Sequence, residues 1–159
     1  MRVGRLAEAV YIVFLAAVLG AVLTLGAVVA PVIFHSERFL QQEILSHYQE
    51  GLIMTAIFLK TNYILNFAAF VILIREIYDY KRFKRDLWIL LSATTALFSI
   101  FMFTLYYTPD IVAYQIAGEE MTKSEIFAKI HKGSEIDFSL LALSLAVLAV
   151  RRAYLLKKG

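Results

Sequence analysis

The sequence predicts an all-α integral membrane protein, a four-helix bundle with both termini on the cytoplasmic side. Three observations carry this reading. Hydrophobic residues make up 60% of the chain and mean hydropathy is +0.70, against the 45–50% or so of an ordinary soluble domain. Four apolar stretches are each long enough to cross a hydrocarbon core of about 30 Å. Finally, Lys and Arg gather in alternate connections, which orients the chain with its basic side in the cytoplasm.

The first span runs over residues 9–34 without a charge. Arg2 and Arg5 precede it, as in a signal peptide, but the run is too long for such an apolar region, so a retained helix is expected. A polar stretch over 35–50 contains Glu37, Arg38, Glu43 and Glu50. The second span, about 51–74, is interrupted by Lys60, Asn62 and Asn66, and a basic loop follows with Arg75, Lys81, Arg82, Lys84 and Arg85. The third span, 87–107, should end near Pro109, because proline discourages further helix. Residues 110–130 then form the longest connection, where Thr122-Lys-Ser-Glu125 reads as a capping box. The fourth span covers 135–155. Only 13 uncharged residues separate Asp137 from Arg151, so Asp137 lies within the bilayer or Arg151 and Arg152 snorkel to its surface. The whole chain, 1–159, reads as a single transmembrane domain.

Eleven of the 16 Lys and Arg residues fall in the N-terminus, the 75–86 loop and the C-terminal tail. Both termini are therefore expected inside, and the compact chain suits a bacterial or archaeal plasma membrane. The basic residues flank apolar spans and line no exposed face, so nucleic acid is excluded as a partner. With no cysteine, disulfides, thiolate metal sites and thiol catalysis are excluded too.

Helices in lipid associate through close packing of small residues. Two seams fit: Ala17, Gly20, Thr24, Ala27 and Pro31 in the first span, and Ser139, Ala142, Ala146, Ala149 and Ala153 in the fourth. The third span offers Ser92, Thr95, Ser99, Met102 and Tyr106, and the second Met54, Phe58, Asn62 and Asn66. Extended outward, these rows bring His35, His131 and Glu135 toward the bundle axis, and His47 as well if the second helix starts early. A fresh helix start at Gly133-Ser134, with Ser134 as N-cap and Asp137 at N3, would take His131 off its row.

Three histidines and a carboxylate on one side could ligate a transition metal such as copper, and two of the histidines could serve as axial haem ligands. Their spacing matches no established zinc motif. Interfacial histidines bonded to backbone or carboxylate are the plainer alternative. Lys60, well inside its span, needs a partner, for which Asp137 or Glu135 are candidates. Asn62 and Asn66 can hydrogen-bond between helices. No nucleophile–base pair, P-loop or dinucleotide fingerprint is legible, so an enzyme is the weakest reading.

Val29-Ala-Pro-Val-Ile-Phe34, then Tyr48 and Gly51, then Phe127-Ala-Lys-Ile-His131-Lys-Gly-Ser134 resemble the small membrane family of unknown function that includes animal transmembrane protein 205. That family is distantly similar to copper-resistance D-like and membrane protoporphyrinogen-oxidase groups. The resemblance implies a helical bundle, carries Ala30, Pro31, Phe34, His131 and Ser134 over as family-like positions, and encourages copper or haem as cofactor. It supplies no activity. Handling of a metal or haem at His35, His47, His131 and Glu135 is the leading expectation. An accessory subunit that assembles with other membrane proteins, and a homo-oligomeric transporter of ions or small solutes, are the alternatives.

Overall fold

The same alternation of apolar runs and polar connections appears in the computed structural model as four long helices: Gly4–Phe34, His47–Lys81, Leu87–Ile116 and Glu125–Lys158. The structure describes residues 2–42, 44–82 and 86–158, with side chains from Gly4 onward. The Arg2 side chain, Glu43, Lys84 and Arg85, all read above as charges, lie outside it. No strand occurs among the described residues, and each long helix is apolar enough to cross a membrane. The second, with 35 residues, is about 52 Å long at helical rise, so its ends reach beyond a hydrocarbon core of about 30 Å.

Two helices contain a proline without ending there. Pro31 is preceded by a π-turn at Leu25–Val29 and Pro109 by one at Phe103–Tyr107. A proline ring collides with the carbonyl four residues back and offers it no N–H. The widened turns accommodate this with bonds to the fifth residue back, Ala30 N–H to Leu25 O and Thr108 N–H to Phe103 O. The Thr108 hydroxyl also donates to Phe103 O at 2.8 Å. The third helix therefore runs to Ile116, and its expected end near Pro109 is corrected.

Two further expectations change near the fourth helix. Thr122 does not open a helix; it closes the short Glu119–Thr122 turn, its hydroxyl donating to Glu119 O at 2.7 Å. Ser124 is the cap, accepting from Phe127 N–H at 3.2 Å. From Glu125 the helix is continuous to Lys158, so Gly133-Ser134 starts nothing new and His131 stays in register with Glu135. Gly133 packs under the Tyr107 ring: a Cβ there would lie 2.9 Å from it, so the ring would have to move.

The core is built mainly from large residues. Tyr11, Leu15, Val18 and Val22 of the first helix, spaced by four and three, meet Leu141, Leu145 and Leu148 of the fourth and Leu65 and Ile72 of the second. The third helix contributes small residues, Ser92, Ala93, Ala96 and Ser99, to its buried face, and packs most extensively on the fourth. The expected small-residue seam of the first span lies off the core, whereas that of the fourth is partly in it, with Ala142 packed against the core and Ala146 half-buried. Ala17, Gly20, Thr24, Ala27 and Pro31 are exposed, as are Ser139 and Ala153, while Ala149 is buried. Leucine rows one helical step away seal the bundle in their place.

At the basic end, charges from three helices converge. Arg152, only 5% exposed, donates to Asp79 Oδ2 at 2.5 Å and Glu76 Oε1 at 2.6 Å, and reaches Glu8 at 3.4 Å. Arg75 pairs with Glu8 and lies 3.4 Å from Asp79. Both guanidiniums flank the Tyr11 ring, whose hydroxyl donates to Glu76. Beside this cluster Arg151 grips Asp86 through two nitrogens, the nearer at 2.7 Å. Asp86 also caps the third helix at Ile89 N–H. The Arg151 hydrogen bond holds the Asp86 carboxyl below the usual carboxylate range.

Candidate functional site: a cavity at the histidine end

At the opposite end the helices splay around a cavity of about 800 Å³. Its floor is a triangle of rings, Phe58, Phe103 and Phe138, with centroids 4.9–5.4 Å apart. They come from the second helix, the π-turn of the third, and the fourth. Buried Met54 adds a soft apolar wall, while Gly26, Ala27 and Ala30 form a wall of low bulk beside the first π-turn.

The rim is polar and is fixed by local geometry. Ser46 caps the second helix in a full capping box with Gln49, which makes His47 its first residue, the early start that the sequence left open. Glu50, one turn on and 5% exposed, accepts from the Ser36 hydroxyl at 2.6 Å and lies 3.5 Å from His47 Nδ1. It thereby ties the end of the first helix to the start of the second. Tyr48 donates to Gln115 O at 2.7 Å, fastening the second helix to the third. Sequence reasoning missed Glu50 as a site residue, although its i,i+3 spacing from His47 was a signal.

His35, His47, His131 and Glu135 all line this one cavity. They are gathered but not converged. Each histidine faces its own carboxylate: His35 with Glu37 at 3.8 Å, His47 with Glu50 and His131 with Glu135 at 3.4 Å. The Phe34 ring packs against both His47 and His131, and Phe127 stacks on the latter. Among the described residues no three His, Asp or Glu side chains come close enough to hold a metal ion. The metal or haem expectation therefore finds no support in this geometry.

The intramembrane polar residues part company. Asn66 accepts from the Thr104 hydroxyl at 3.2 Å, the interhelical bond expected of it. Asn62 is buried, its side-chain oxygen without a partner. Asp137 is buried beside Ser99. Lys60 is exposed and pairs with neither Asp137 nor Glu135, so the expected ion pair is corrected. At 100° per residue, Lys60 points about 160–200° away from Phe58 and Asn62, toward lipid.

Four apolar helices, each long enough to cross a membrane, around a cavity at one end define a membrane-type helical bundle. Residues 13–120 match DUF4149, a domain of unknown function, and the chain belongs to that family. The match covers the first three helices and stops before His131 and Glu135. The likeness to transmembrane protein 205 and the copper-resistance D groups is not met by this comparison. No curated protein and no solved structure matches the chain.

Proposed function

We propose that this protein is a membrane-embedded binding protein for a small amphipathic molecule, which enters the histidine-end cavity with its apolar part on the phenylalanine floor and its polar head at the rim. The cavity itself carries the reading. Its volume of about 800 Å³ falls in the range of small-molecule sites, which are mostly apolar with a few fixed polar groups. Tyr48, Gln115, His47 and His131 supply hydrogen-bonding groups around the mouth.

A dansyl-labelled fatty acid added to the protein in lipid nanodiscs is the test. Its emission should rise and shift to the blue on binding, and Ala27→Phe, which pushes a ring into the wall, should weaken binding about tenfold. Unchanged affinity in that variant places the probe elsewhere and removes the proposal. The cavity lining by all three histidines keeps a metal or haem as the second reading. A Soret band or near-stoichiometric metal in the purified protein, lost in His131→Ala, would replace the amphiphile.

We place the cavity on the outer face, following the concentration of Lys and Arg at the other end. Since the chain has no cysteine, Lys123→Cys provides a unique thiol on the cavity side. An impermeant maleimide should label it in intact cells; labelling only after permeabilisation reverses the orientation.

A further inference from the structure

We infer that Asp137, with Ser99 beside it and Asn62 on the opposite helix, forms a buried site for one monovalent cation, a proton or a sodium ion. The site lies just beneath the cavity floor and needs no ligand in the cavity above.

The placement follows from the ring triangle. Phe58, Phe103 and Phe138 fix the second, third and fourth helices at one level. Asn62 follows Phe58 by four residues and Ser99 precedes Phe103 by four. These two helices run in opposite directions, so both residues lie one turn deeper on the same faces. Asp137 precedes Phe138 on the fourth helix, and its carboxyl faces Ser99. All three are buried, at 9%, 0% and 8% exposure for Asn62, Ser99 and Asp137. Asn62 Oδ1 and Asp137 Oδ2 lack a partner, and the Ser99 hydroxyl has none but the Asp137 carboxyl that it faces.

Buried oxygens without full hydrogen bonding are costly, because a buried acceptor loses its water without compensation. An ionised carboxylate there is costlier still. Among the described residues no basic side chain pairs with it: Arg152 is 15 residues along the same helix, about 22 Å, and Lys60 faces away. On the third helix Tyr107 also lies near Asp137, its ring on Gly133, and it carries no positive charge. The second helix contributes Asn62, and Glu135 on the fourth is exposed and pairs with Lys132. One positive charge therefore balances the site. An all-oxygen set suits a hard cation and offers nothing to soft metals. The leucine-lined core beyond it, Leu65, Leu141 and Leu145, separates it from the basic end.

Thermal unfolding of the purified protein in mild detergent tests this, comparing sodium with N-methylglucamine chloride at equal ionic strength across a range of pH. A sodium-specific rise of about 2–4 °C in the wild type, absent in Asp137→Asn, identifies sodium. A pH-dependent midpoint without sodium effect, flattened in Asp137→Asn, identifies the proton. Ser99→Ala only removes a hydroxyl and keeps the test open if Asp137→Asn does not fold; it should shift the sodium or proton concentration at the midpoint about threefold. A wild-type protein indifferent to both cations, or variants that respond as the wild type does, overturns the site.

Discussion

Replacing Arg152 by methionine is expected to cost about 3–5 kcal/mol of bundle stability, the range for removing one partner of a buried ionic cluster. Methionine keeps much of the length and packing of the side chain, so the loss isolates the charge. Arg152 is the residue on which Asp79, Glu76 and Glu8 converge, and without it Arg75 alone faces three carboxylates. Asp79 Oδ1 and both arginine Nε atoms already lack partners, so the cluster is short of hydrogen bonds even before its central charge is removed. Arg152→Lys retains the charge but not the fork that spans two carboxylates, and should lose less. Unfolding by sodium dodecyl sulfate in mixed micelles measures both. If the methionine variant is as stable as the wild type, the cluster is not what ties the first, second and fourth helices together.

Phe138→Ala should cost about 3 kcal/mol by the same measurement, at the low end of the range for such truncations in soluble cores. The discount has a physical reason. In a bilayer the separated helices are already solvated by hydrocarbon, so a ring contributes its packing and little hydrophobic transfer energy. What remains is contact with two other rings in near edge-to-face and tilted geometries, plus the void left behind. Because Phe138 also forms the cavity floor, this variant should enlarge the chamber, whereas Phe138→Leu should retain most of the stability. A loss no greater than that of a lipid-facing control such as Leu143→Ala would show that the triangle does not brace the bundle.

The spans were legible because their apolar runs exceed any alternative use. His131 and Glu135 were legible as partners because one uninterrupted helix places i and i+4 on one side. Other features depended on information that a single stretch does not hold. Glu8, Glu76 and Asp79 look like ordinary flanking charges, and Arg152 like a snorkelling residue, until helices 65 or more positions apart close around them. The small-residue seams satisfied a general packing preference, yet the leucine row beside them was an equally good stripe, and only the mutual fit of four helices chooses between stripes. Pro109 was read by its local effect on an α-helix, and the π-turn that absorbs it has no signature in residue type. The gathering of the histidines around one cavity followed from their place at one end of the helices. Their separation by Phe34 did not, since it depends on how a helix end is rotated.

That rotation is set by the π-turns. Each five-residue turn at Leu25–Val29 and Phe103–Tyr107 amounts to one extra residue in the winding, a phase change of about 100° between the two halves of its helix. The halves that interlock in the core and the halves that surround the cavity are thus wound in separate phases. Residues beyond the break, Ala30–Phe34 on one helix and Thr108–Ile116 on the other, can change identity without asking the leucine rows to shift register. A common bundle could in this way carry differently shaped chambers, the variation confined to the two short helical ends past each proline.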